Sequence, residues 1–109
     1  MMTDLLQVST TTASREEAEM IGRTVVEERL AACAQIVGPL TSFYQWKGQV
    51  EDASEWYCVL KSTADLYPAL EARIRSLHPY EIPEVIAVPI ARSSSRYAGW
   101  IAESVRTGG

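Results

Sequence analysis

The chain has 109 residues, 47% hydrophobic and 22% charged, which fits one globular domain and gives no support to disorder or membrane insertion. A net charge of −4, with ten Lys and Arg scattered among fourteen acids, lacks the basic footprint of a nucleic-acid binder. No apolar run approaches the ~20 residues of a membrane-spanning helix, and residues 1–12 lack a leader pattern, so the sequence reads as cytoplasmic.

Residues 4–11 (DLLQVSTT) are aliphatic and β-branched and predict a first strand. Ser14 and Glu17 then form a capping box. Ala18, Ile21, Val25 and Ala32, with Leu30 beside them, recur at helical spacing and predict an amphipathic helix over residues 15–31. From Cys33 to Trp46 the period falls to two. Leu40, Ser42, Tyr44 and Trp46 share one face, and Thr41, Phe43, Gln45 and Lys47 the other. Gly38-Pro39 interrupts this strand as a bulge or bend near a sheet edge. Lys47-Gly48 is a turn signal. Residues 50–61 give a third strand, with Trp56, Cys58 and Leu60 on one face and Tyr57 and Val59 on the other.

Pro68 belongs in a first turn, so a second helix starts near Asp65, with Asp65 as its N-cap. Leu66, Leu70, Ile74 and Leu77 carry it to His78-Pro79. Residues 79–84 make a two-proline loop, and residues 85–90 (VIAVPI) a short strand whose Pro89 suits an edge. After a serine cap, Tyr97, Trp100, Ile101 and Val105 mark a last amphipathic helix, and Thr107-Gly108-Gly109 a frayed tail.

The order β-α-β-β-α-β plus a terminal helix is an α+β, ferredoxin-like pattern. Right-handed crossovers place strands one and three centrally and strands two and four at the edges. The hairpin is unusually long. At ~3.3 Å per residue a strand of a dozen residues reaches ~40 Å, beyond the ~26 Å that is twice the radius of gyration expected for ~100 residues. Its tip therefore overhangs the core. Phe43, Tyr44, Trp46, Trp56 and Tyr57 lie on it, over both faces, and other copies of the chain would have to cover them. With Trp46 opposite Gln49, Cys33 falls opposite Ser62 and Cys58 opposite Val37. That leaves ~13 Å between the thiols along the ladder, where a disulfide needs ~7 Å or less.

Candidate chemistry is sparse. His78 is the only histidine. It reads either as a cap on the second helix or as a ligand for a soft or borderline metal, with Cys33 as a soft partner. One Cys and one His match no zinc spacing. Glu81 and Glu84 flank Pro83, as solvated loop acids or as carboxylates for a hard cation. Lys47, Lys61 and Arg73 with Tyr80 would suit an anion. No phosphate loop, nucleophile elbow or catalytic triad order appears. The third strand lacks the RNP1 pattern, and a chain without Asn cannot supply the Arg-Asn pair of acylphosphatase-like enzymes.

Residues 28–34 (ERLAACA), 41–48 (TSFYQWKG), 61–63 (KST) and 77–84 (LHPYEIPE), then Pro89-Ile90 and Trp100, follow in an order that resembles the CutA divalent-cation tolerance family over nearly the whole chain. The resemblance implies a ferredoxin-like fold and a homotrimer similar to PII signalling proteins, assembled through long hairpins. It also implies a cytoplasmic role in tolerance of copper and other divalent cations, with no catalysis and no obligatory cofactor. Members that bind copper use a strand-one cysteine and a His-His pair before Pro-Tyr. Here Ser9 and Leu77-His78 stand at those positions, so only His78 matches. The resulting expectations are a Cu(II) or other divalent-cation contact at His78, Cys33 and Glu81, and a trimer interface at Phe43, Tyr44, Trp46, Trp56 and Tyr57. The alternative is a PII-like sensor with an anionic ligand between subunits, near Lys61, Arg73 and Tyr80.

Overall fold

A computed structural model describes residues 4–107, so Gly108 and Gly109 of the expected tail lie outside the described residues. The elements are β1 (Leu5–Thr12), α1 (Arg15–Glu27), β2 (Cys33–Trp46), β3 (Gln49–Thr63), α2 (Tyr67–Leu77), β4 (Ile86–Pro89) and α3 (Ser95–Ser104). They form one antiparallel sheet in the order β2-β3-β1-β4. The ferredoxin-like expectation holds, with β1 and β3 central. Pro39 and Pro89 fall on the two edge strands, where a missing N–H costs least.

One face of the sheet builds the core. Val8 of β1 and Cys58 and Leu60 of β3 are fully buried there, together with Ala18, Ile21 and Val25 of α1 and Leu70 and Ile74 of α2. Ser14 caps α1, accepting from the Glu17 N–H at 3.1 Å. The expected helix over residues 15–31 stops early, at Glu27. Arg29 takes a left-handed φ of 61°, and the chain reverses there. Leu30, Ala31 and Ala32 are buried after the reversal. They extend the apolar pattern without extending the helix. Arg29 is held by α3: its guanidinium donates to the carbonyls of Ser104 and Glu103 at 3.2 and 3.1 Å, and the Arg106 N–H returns a bond to its carbonyl. Asp65 is not the N-cap of α2. It lies within a 3-10 turn over Ala64–Leu66, and α2 starts at Tyr67 with Pro68 in its first turn, as expected.

The hairpin turns at Lys47 and Gly48 with φ of 51° and 80°, the two positive values of a type I′ turn, and Trp46 pairs with Gln49. Toward the core the expected register is off by one. Val37 pairs with Tyr57 but Leu40 with Glu55, so Gly38 and Pro39 together oppose Trp56 alone. This bulge sets Cys33 opposite Lys61 and Cys58 opposite Ile36. The thiols remain ~10 Å apart along the ladder, and both are free. Gly38 lies so close to Trp56 that a Cβ would meet its ring at 2.7 Å.

The fold measures 47 × 25 × 22 Å, as an overhanging hairpin requires. Phe43 is 74% and Val50 67% exposed near the tip. On the sheet face opposite α1 and α2, Val37, Ile86 and Val88 are also exposed.

Gly22 of α1 tests how tightly the two layers meet. A Cβ there would lie 2.8 Å from the Ala34 Cβ and 3.2 Å from the Cys58 Sγ. Gly22→Ala gains about 0.5–1 kcal/mol of helix stability and loses about 1–3 kcal/mol to overpacking. The clash involves a Cβ that cannot rotate away, so the expected outcome is a net loss of about 1–2 kcal/mol. Urea unfolding at fixed protein concentration measures it, and an unchanged or higher midpoint would contradict so close an approach.

Candidate functional site

The loop after α2 folds back over the face of the sheet that α1 and α2 leave open, and His78 ties it there. His78 is 9% exposed. The Tyr80 N–H donates to its Nδ1 at 3.1 Å, which places the ring proton on Nε2, and Nε2–H donates to the Thr11 carbonyl at 2.7 Å. Both nitrogens of a neutral ring are therefore engaged. The capping reading is corrected: the ring serves β1 and the loop, not the carbonyls of α2. The His78 and Tyr80 rings pack 4.7 Å apart at 50°.

This clamp aims Tyr80 at the sheet, where its hydroxyl donates to the Glu55 Oε2 at 2.7 Å. Glu55 is 7% exposed. Burial, then the hydrogen bond to Glu55, hold the Tyr80 phenol well above its usual range. Burial, then the nearby Glu55 charge, also raise Glu84 above the ordinary carboxylate value. Between loop and hairpin lies a cleft of about 650 Å3. Thr11 and Glu55 line it from the sheet, Tyr44 and Trp46 from β2, and Tyr80, Glu81 and Glu84 from the loop. The register explains the grouping: Thr11 pairs with Tyr57, and Leu40 with Glu55, so Thr11, Glu55, Ser42, Tyr44 and Trp46 share one face of the pleat.

The other candidates are elsewhere. Cys33 lies at the far end of β2, its Sγ 3.8 Å from the Tyr97 hydroxyl, and its neighbours along the ladder are Lys61 and Gln7. Thr11, which holds His78, is four residues further along β1, ~13 Å away. Cys33, His78 and Glu81 are thus not gathered. Among the described residues no group of three or more His, Cys, Asp or Glu is placed to hold a metal ion. The anion set is dispersed within one chain as well. Lys61 donates to the Gln35 amide oxygen at 2.8 Å, and Arg73 makes a forked pair with Glu28, closest at 2.8 Å. Only Tyr80 lines the cleft, whose charged neighbours are carboxylates.

Of the interface set, Phe43, Tyr44 and Trp46 are exposed. Tyr57 is half-buried on the open face, while Trp56 packs against the core beneath the Arg15 guanidinium, 5.6 Å from its ring centroid. Burial pushes the Cys58 thiol up to about 12, which makes it an inert core residue. Sequence reasoning missed Glu55. The one available signal is a carboxylate heading the apolar run Trp56–Leu60, and it says nothing of Tyr80.

Residues 6–104 match the family model described as CutA1 divalent ion tolerance protein. The chain is 44% identical over 94 residues to the divalent-cation tolerance protein CutA of Thermus thermophilus, covering 86% of this chain and 91% of that one. It is 42% identical to mouse Protein CutA over 91% of this chain, but spans only 58% of that protein. A chloroplastic CutA of Arabidopsis thaliana is 36% identical over 91% of this chain and 54% of its own length. Among solved structures, the Thermus thermophilus protein superposes with a TM-score of 0.91 at 41% identity, over 94% of this chain and 99% of that one. A CutA of Archaeoglobus fulgidus described as periplasmic gives 0.90 at 32% identity, over 94% and 99%. Among the described residues, no helix is long and apolar enough to cross a membrane.

The half-buried Glu84 generates a pH prediction. Glu84 has a folded-state pKa above its unfolded value, so the native state holds the proton longer. As pH rises through that window the unfolded state binds fewer protons, and stability falls. Glu84→Gln is therefore expected to be more stable than wild type at pH 7, the advantage shrinking as pH drops below 4.5. Thermal midpoints at the two pH values check it, and an equal difference at both would refute it.

Proposed function

The chain belongs to the CutA1 divalent ion tolerance family, and from that footing we propose that it is a non-enzymatic homotrimer acting in divalent-cation tolerance. The hairpin carries the trimer. Phe43, Tyr44, Trp46 and Val50 are apolar and exposed on an arm that projects past its own core. A second exposed apolar patch, Val37, Ile86 and Val88, lies on the open sheet face. Docking each arm on the next chain's open face buries both, and a ring of three closes without leaving a free patch.

The absence of catalysis is supported by the use of the only imidazole as a clamp, and by relatives named for tolerance rather than for a reaction. Copper enters through the family. A Cu(II) contact at His78 requires the ring to release Tyr80 or Thr11 first, since a metal needs a nitrogen lone pair. Cytoplasmic residence is supported by two free thiols, although the names of relatives range over chloroplast and periplasm. A sensor of anionic ligands is the weaker reading, because the cleft beside Tyr80 is lined by acids.

Sedimentation at micromolar concentration is expected to give three times the chain mass, and Phe43→Ser with Val50→Ser to shift it toward monomer; a wild-type monomer would refute the assembly. For the metal, Cu(II) titrated into wild type and His78→Ala is expected to bind more weakly to the variant. Indistinguishable curves would remove His78 as a ligand.

A further inference from the structure

On the trimeric reading, which this inference rests on, neighbouring copies cover the open sheet face and the cleft beside Glu55. Two charged groups on that face find no counter-charge in their own chain. β3 alternates without interruption from Glu55 through Tyr57 and Val59 to Lys61, so these four share the open face. Lys61 is the only Lys or Arg that the described strands carry; the others lie on helices, turns and loops. Glu55 is buried, and the Tyr80 hydroxyl donates to it at 2.7 Å. Lys61 donates to the Gln35 amide oxygen at 2.8 Å and keeps two further ammonium donors. Among the described residues neither forms an ion pair. Six residues of strand, ~20 Å, keep them from each other within one chain.

A carboxylate and an ammonium removed from water are each costly unless an opposite charge meets them in hydrogen-bond contact. The copies are identical, so the surfaces that close on one another have to supply their own counter-charges. Glu55 against Glu55 repels, and so does Lys61 against Lys61. A ring of three joins head to tail, one patch meeting a different patch on the next copy. Glu55 lies at the arm end of this face and Lys61 at the other end. An arm reaching onto the next copy brings unlike ends together. Lys47, the other lysine, stays at the turn with its Nζ 5.9 Å from the ring centroid of its own Trp46.

We propose that Lys61 of one copy pairs with Glu55 of the next, giving three equal ion pairs around the trimer. Tyr80 holds the carboxylate of each pair and Gln35 its ammonium. The cleft beside Glu55 is then a seam between copies, and the His78 clamp, acting through Tyr80, sets the loop against that seam.

A double-mutant cycle on the full chain tests this, with Glu55→Gln, Lys61→Met and both together, reading sedimentation mass and the urea midpoint at fixed protein concentration. Glu55→Gln keeps an acceptor for Tyr80 and removes only the charge. A buried acid without a partner is relieved by that change, whereas a paired one loses its contact, so the expected midpoint is lower than wild type. Lys61→Met is expected to lower it too, and each variant to raise the concentration of half-dissociation about tenfold or more. The double variant is expected to fall no further than the worse single one, because the same contact is lost. A Glu55→Gln midpoint at or above wild type overturns the pair. Additive losses overturn it as well, since that is what two sites ~20 Å apart in one chain give. Wild type supplies a readout that no variant's folding can spoil. A zero-length carbodiimide is expected to join Glu55 to Lys61 as an interchain isopeptide, found by peptide mass spectrometry, and its absence from the wild-type trimer overturns the proposal. A wild-type monomer removes the trimer itself; a trimer with additive losses removes the pair alone.

Discussion

One extra residue in β2 decides which way the outer half of the hairpin faces. Strand side chains alternate, so a one-residue slip sends every later residue to the opposite face. Before the bulge, Ala34 and Ile36 point to the helices, packed against the core. After it, Leu40, Ser42, Tyr44 and Trp46 share the face of Glu55 and Tyr57. Without the bulge these side chains would turn toward the helix side, beyond the end of the core, and the cleft would lose its aromatic wall. Gly38 permits the geometry because nothing larger fits against Trp56.

The second constraint is the His78 clamp, and it acts on what the bulge has presented. Two hydrogen bonds from one ring, to Thr11 and from Tyr80, fix a loop of irregular backbone onto the end of β1. Tyr80 then reaches Glu55. Three groups far apart in the chain become one unit, in which each polar atom positions the next. Networks of this kind are worth more than their separate bonds, and they suffer when one member is removed. The structural use of His78 also bears on metal binding, since the same lone pair cannot serve both.

Much of the fold was legible in the sequence because it rests on local patterns. Period two in β2 and β3, the Ser14–Glu17 capping box, the Lys47-Gly48 turn and the prolines of edge strands all state their structure within a few residues. The errors share a different cause. Leu30, Ala31 and Ala32 are apolar because they are buried, and the pattern could not reveal that Arg29 breaks the helix while bonded to α3. The bulge was visible as Gly38-Pro39, but its effect on register appears only when the strands are paired. The site suffered most. His78, Cys33, Glu81, Lys61 and Arg73 are chemically suggestive types, yet each has its partner decided by long-range contacts. Glu55 carried no local mark of its burial.

The position of β1 has a consequence for how the chain assembles. It is made first and lies between β3 and β4, the latter pairing through Leu6 with Pro89, nearly the whole chain away. The hairpin, by contrast, closes from a two-residue turn and can zip as a local unit within microseconds. The pairings of β1 demand long loop closures, which dominate the entropy of the folding barrier. The hairpin, which we propose joins copies together, is therefore ready before the sheet that supports it. During that interval its aromatic tip is exposed on a half-built chain, so the rate of β1 insertion sets how long the chain is open to premature association.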